Sequence, residues 1–189
     1  MHRIWEIARW VFLGFVLLYV AVVIYAYPHD HEAHLSAAMV AKIQAQRITP
    51  ADIDGQYLPP PPDRAKVNAT IAGIDANDNG IRDDVELAIF AEYPTSTATR
   101  AAELQYAMTE QMFLTDVFDQ NTWKAVADQD DRAYQCVAAH SAETDIVEAL
   151  VVNTPERQQK FDEVFSSFET SFGLPSGAVC DIGLPGSSQ

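Results

Sequence analysis

The most specific chemistry in this chain lies in twelve residues, Asp75-Ala76-Asn77-Asp78-Asn79-Gly80-Ile81-Arg82-Asp83-Asp84-Val85-Glu86. They satisfy the pattern D-x-[DN]-x-[DN]-G-x5-E in full. Calcium is a hard cation that takes 6–8 oxygen ligands, and a short loop supplies them only by curling tightly around the ion. Asp75, Asn77 and Asn79 would offer side-chain oxygens at loop positions 1, 3 and 5, and Gly80 would permit the sharp turn at position 6. Ile81 would give a backbone carbonyl, Asp83 a direct or water-mediated contact, and Glu86 a bidentate carboxylate. The alternative is an Asp/Asn/Gly-rich solvated turn that binds nothing.

This loop resembles the EF-hand-like loops of bacterial surface proteins and the Asp/Asn-rich calcium repeats of thrombospondin type 3. The stretch Leu58-Pro59-Pro60 and then Asn68 to Glu86 also resembles a segment recurring in uncharacterised, exported, membrane-anchored bacterial proteins, a likeness that covers about 30 residues and carries no activity with it. Departures from the EF-hand are plain in the sequence. Position 8, normally apolar so that two loops can pair, is Arg82; no second loop follows; and Thr70-Ile71-Ala72-Gly73-Ile74 is a poor entering helix. The expectation is an isolated structural site with an affinity of about 10⁻⁴ to 10⁻³ M. At about 1 mM calcium and a Kd of about 10⁻⁴ M, binding would stabilise the fold by about 1.4 kcal/mol.

Two other groups of residues have ligand chemistry. His29, His31 and His34 form a weak secondary metal candidate, but His31-Glu32-Ala33-His34 is one residue short of the H-E-x-x-H spacing, and a solvated cluster serves as well. Cys136 and Cys180 are the only cysteines. An even count in an exported domain reads as a disulfide, whereas a redox pair or a metal site would call for a Cys-x-x-Cys spacing that neither has. His140 is expected to pack near Cys136 rather than act as a base.

These residues need elements to hold them, and the pattern is helical from Asp63 onward. A helix over about 84–92 stops before Pro94. A longer one over about 97–118 carries Ala101, Leu104, Met108 and Met112 on one stripe, with Tyr106, Phe113 and Val117 beside it. Residues 122–140 and 142–152 give two more. The last helix has Thr154 as N-cap, Pro155 at its first position and Gly173 and Pro175 as its stop, with Phe161, Val164, Phe165, Phe168 and Phe172 on its inner face. No segment alternates with period two. The expected fold is mainly α: one N-terminal transmembrane helix, then a small extracytoplasmic helical bundle with a calcium loop and one disulfide.

From Trp10 to Tyr27 there are 18 consecutive uncharged residues. With Ile7 and Ala8 ahead of them, they are long enough to span a ~30 Å hydrocarbon core. Trp5 and Trp10 stand at one end, Tyr25 and Tyr27 at the other. Arg3 and Arg9 precede the run, which predicts a cytoplasmic N-terminus and an exported remainder. A cleaved signal peptide is the alternative, opposed by the length of the run and the poor cleavage site Ile24-Tyr25-Ala26. The expected organisation is 1–27 cytoplasmic end and membrane helix, with Pro28 ending or kinking it; 28–47 juxtamembrane helix; 48–63 extended proline-rich connector; and 64–189 helical calcium-binding domain.

The net charge is −15. Residues 1–27 hold two arginines and one glutamate, leaving 10 basic against 26 acidic residues, a balance of −16, on the remainder. Such a surface repels nucleic acid and anionic headgroups. There is no G-x-S-x-G, Walker A or G-x-G-x-x-G pattern. The expectation is a non-enzymatic, calcium-binding accessory or scaffold protein of a bacterial inner membrane, its main domain periplasmic, with protein partners in a larger complex and no small-molecule substrate. A calcium-responsive envelope sensor and a metal-dependent enzyme using the histidines are the rival readings.

Overall fold

A computed structural model describes residues 2–140, 144–168 and 177–183, the side chains of residues 2 and 24–30 excepted. The described residues are mainly helical and contain no strand. The chain divides into two units, Met1–Ala38 and Met39–Gln189.

The first unit is most of helix α1 (His2–Ala45), whose backbone continues through Pro28. Pro28 therefore does not end the helix, and 28–45 belongs to the same helix as the membrane candidate. A proline removes one backbone donor from a helix, a loss that membrane helices tolerate where other groups satisfy the freed carbonyl. Arg3–Val23 is the one stretch among the described residues long and apolar enough to cross a membrane, with a mean hydropathy of 2.0 and none of it buried. An anchor and a signal sequence both meet that description.

The second unit is built around α5 (Thr97–Thr115). Helices α2 (Pro50–Asp54), α4 (Asp83–Glu92), α6 (Gln120–Ala139), α7 (Thr144–Val151) and α8 (Pro155–Ser167) all contact it. Every residue from Arg100 to Leu114 is buried. Sequence periodicity predicts a single apolar stripe here, but the helix is enclosed on all sides, so its polar residues must find partners inside. Three of them find backbone carbonyls far off in sequence. Arg100 donates to Ile53 O at 2.7 Å and Tyr93 O at 2.8 Å, Gln105 to Val179 O at 2.9 Å, and Gln111 to Ala72 O at 3.3 Å. The central helix thus fixes the loops as well as filling the core.

The segment 48–63 is not extended throughout. Ile48 and Ile53 are buried, and α2 forms between Thr49 and Gly55. Asp52 Oδ2 accepts from both the Thr49 amide and its hydroxyl at 2.7 Å, and Gly55 closes the helix in the left-handed region at φ 79°. The proline run follows as irregular chain with Pro59 buried, and Asp63 then caps the short helix α3 (Arg64–Val67). At the other end, Phe113, Trp123, Phe161 and Phe165 pack together, with Phe113–Phe165 and Trp123–Phe165 centroids both 4.9 Å apart. Phe172, Gly173 and Pro175 lie outside the described residues.

Cys136 and Cys180 form a disulfide. Closing a loop of 44 residues contributes about 4 kcal/mol in the chain-entropy account. The same tail segment is held by Asp181, whose side chain is buried and accepts from Ile48 N at 3.0 Å and pairs with Arg132 at 2.8 Å and Arg47 at 3.3 Å.

Candidate metal centre

The twelve-residue loop runs into α4, and its backbone closes on itself before any side chain is considered. Asp83 N donates to Ile74 O at 2.8 Å, joining the two ends. Asp75 stands at the centre of the first turn: Oδ1 accepts from Asn79 N at 3.2 Å and Oδ2 from Gly80 N at 2.8 Å. Asn79 Oδ1 in turn accepts from Ile81 N at 2.9 Å. Asp78 and Gly80 take positive φ, 55° and 85°, and Gly80 lies against Gln46, whose amide donates to Asn79 O at 3.4 Å. A side chain at position 80 would meet both the left-handed backbone and Gln46.

Glu86 closes the site from the first turn of α4 and is 1% exposed. Its partners are amides, not cations. Asn79 Nδ2 donates to Oε1 at 3.0 Å and Asn77 Nδ2 to Oε2 at 3.1 Å; Asn77 Nδ2 also reaches Tyr57 O at 3.2 Å. Asn77 Oδ1 is buried without a hydrogen-bond partner. Burial pushes the Glu86 carboxyl up to about 7; the two asparagine amides act against this, and the charges of Asp52 and Asp75 act with it. Asp75 is also raised, by burial first, against the pull of the Gly80 and Asn79 amides. Among the described residues neither Asp75, Asp83 nor Glu86 has a Lys or Arg ion pair.

This donor set fits a hard cation. Rotating the Asn77 amide would place its Oδ1, now without a partner, beside Glu86 as an oxygen ligand, whereas Asn79 Oδ1 is already held by Ile81 N. Asp83 braces the loop. It is buried, and its Oδ1 accepts from Ala76 N at 2.8 Å. Ile81 puts its side chain into the core, leaving only its backbone to the loop. The loop's carboxylates form no such group: the only three His, Cys, Asp or Glu residues whose ligand atoms come within 4.8 Å of one another, among those described, are Cys136, His140 and Cys180.

Arg82, the departure at position 8, has a structural purpose. It is fully buried and donates to Leu150 O at 2.7 Å and Val151 O at 3.0 Å, with Asp84 beside it. It therefore caps the end of α7. Arg157 of α8, also fully buried, donates to Val67 O at 2.7 Å, Thr70 O at 3.0 Å and Ile71 O at 3.0 Å, holding the chain that enters the loop. Gly73, at φ 71°, is needed because a Cβ there would strike the Arg82 side chain. Sequence reasoning misses Arg157, Asp52 and Tyr57, which come from elsewhere in the chain; only Arg82 announces itself, as a charge where an apolar residue is the rule.

His31 and His34 are exposed on α1 and belong to no metal-sized group among the described residues, and the side chain of His29 lies outside them. His140 does pack beside the Cys136–Cys180 disulfide, with Nε2 buried and unpartnered. The sulfurs are occupied with each other. No protein-family model matches this chain, and searches of curated proteins and of solved structures find no similar protein.

Proposed function

We propose that this chain is a non-enzymatic accessory or scaffold protein, anchored in a bacterial inner membrane by α1, whose periplasmic helical domain is stiffened by one calcium ion in the loop 75–86. The observation that carries the calcium reading is Glu86: a buried carboxylate at the last position of a complete calcium-loop pattern, met by asparagine amides and by no cationic side chain among the described residues. Arg82 and Arg157 support a structural role over a switching one, because they pin both shoulders of the loop to α7 and α8. The apolar stretch 3–23 supports an anchor, and the acidic domain suits a basic protein partner rather than nucleic acid.

Calorimetric titration of calcium into the oxidised, chelator-stripped full chain in mild detergent tests this. One site is expected, raising the melting temperature and disappearing in Glu86→Ala. The absence of both heat and thermal shift would reduce the loop to a braced turn.

A further inference from the structure

Cys136 and Cys180 have no Cys-x-x-Cys spacing, yet the fold gives them a histidine. Cys136 and His140 stand four residues apart at the C-terminal end of α6, so their side chains fall on one face of the helix. Cys180 reaches the same corner from the tail, and one ligand atom from each of the three residues lies within 4.8 Å of the other two. His140 Nε2 is buried and has no hydrogen-bond partner. An orphaned ring nitrogen beside two sulfurs is a donor set for a thiophilic cation. Cys180 is also held in place by more than the disulfide. Gln105, buried on α5, donates to Val179 O and accepts from Asp181 N, both at 2.9 Å, and so grips the residues on either side of Cys180. Asp181 is tied further to Arg132 at 2.8 Å and to Ile48 N at 3.0 Å. Opening the S–S bond therefore leaves both sulfurs beside His140.

We propose that reduction of the Cys136–Cys180 bond by a dithiol converts this corner into a zinc site. Its ligands are Cys136 Sγ, Cys180 Sγ and a ring nitrogen of His140, with the fourth position left to water. One sulfur of the reductant, as thiolate, attacks one cysteine sulfur, forming a mixed disulfide and releasing the other cysteine as a thiolate that takes up a proton. The reductant's second sulfur then displaces the first cysteine. Two electrons and two protons thus pass to the protein, and the reductant leaves as its own disulfide. Zinc binds both sulfurs as thiolates and returns those two protons to water. Two thiolates, a neutral imidazole and Zn²⁺ sum to no net charge, which suits a corner where Cys136 and Cys180 are both buried. Bonds of about 2.0 to 2.3 Å put tetrahedral ligand atoms up to about 3.8 Å apart, inside the 4.8 Å spread of these three. Sulfur and imidazole also separate this ion from the one proposed for the loop, since they select zinc over a hard cation. The tail is thereby clasped by a covalent bond in the oxidised chain and by a metal in the reduced one.

Zinc titration of the full chain in mild detergent tests this, on samples either oxidised or reduced with a dithiol and desalted under argon, with Co²⁺ as a spectroscopic substitute. The reduced wild type is expected to bind one zinc more than the oxidised chain, and its cobalt form to show a sulfur-to-metal charge-transfer band. The Asp181 amide, bonded to Gln105, is expected to stay protected from hydrogen exchange after reduction. Zinc held by His31, His34 or the loop 75–86 cancels in the difference, because none of those groups changes with redox state. Cys180→Ser is expected to lose the extra ion altogether, and reduced His140→Ala to bind it at least about tenfold more weakly than the reduced wild type. Equal zinc uptake in the two redox states would overturn the proposal. So would undiminished affinity in reduced His140→Ala, which would leave the thiolates as the only protein ligands. Loss of Asp181 protection on reduction, before zinc is added, would overturn it too, by showing that the covalent bond alone holds the tail.

Discussion

Glu110 lies on the enclosed helix α5, 3% exposed, with Oε2 buried and without a partner. Burial first, then the charges of Asp130 and Glu148, push its carboxyl up to about 8, against the pull of the Tyr106 hydroxyl. Asp130 on α6 is pushed up to about 6 in the same way, by burial above all, although Thr109 donates to it at 3.0 Å. Both carboxyls therefore keep a proton in the folded chain that the unfolded chain gives up near the ordinary carboxylate range. The folded state binds more protons, so the stability these groups contribute is complete below about pH 4 and is lost as pH rises through 6 and then 8. Glu110→Gln keeps the shape and removes the ionisation. Urea unfolding at pH 5, 6, 7 and 8 is expected to show the variant losing less stability per pH unit than the wild type, by up to about 1.4 kcal/mol for each unit between 5 and 7. Parallel curves would mean that Glu110 is ionised in the fold.

Helix α8 shows what a sequence makes legible at the scale of elements. Thr154, Pro155 and Glu156 define its start locally, and Thr154 Oγ1 does accept from Arg157 N, at 3.3 Å. That cap also aims Arg157 at the carbonyls leading into the metal loop. Thr154→Ala is therefore expected to cost about 1 kcal/mol in thermal or chemical unfolding, and Thr154→Ser to restore most of it. A neutral Thr154→Ala would show that Pro155 and packing suffice. Helix α2 was equally open to a local reading, since Thr49, Pro50, Asp52 and Gly55 are cap and stop signals, but the proline run after it suggested extended chain. Burial of α5 was not legible, because Arg100, Gln105 and Gln111 break the apolar stripe and their partners lie far off in sequence, at Ile53, Val179 and Ala72. The candidate site divides along the same line. Asp75, Asn77, Asn79, Gly80 and Glu86 follow from spacing within one turn, whereas Asp52, Tyr57 and Arg157 reach it only through the fold.

For the molecule as a whole, compartment and chemistry constrain each other. The disulfide Cys136–Cys180 persists where thiols are oxidised, and millimolar calcium is an extracellular condition, so the proposed site and the bond ask for the same side of a membrane. For the proposed anchor, Arg3 and Arg9 ahead of the uncharged run Trp10–Tyr27 favour that side after the helix by the positive-inside rule. The charge balance agrees in kind: a domain carrying −16 has little affinity for an anionic cytoplasmic leaflet. Expressed in a Gram-negative host, the full chain is expected to sediment with membranes and resist carbonate extraction. In intact spheroplasts added protease should digest the domain, and acid-quenched samples should show both cysteines closed to alkylation until reduced. Protection from protease with two freely alkylated thiols would put the domain in the cytoplasm. There the disulfide would open, resting calcium would fall far below the expected affinity, and the loop would have to hold its shape through Arg82, Arg157 and the Asp75 turn alone.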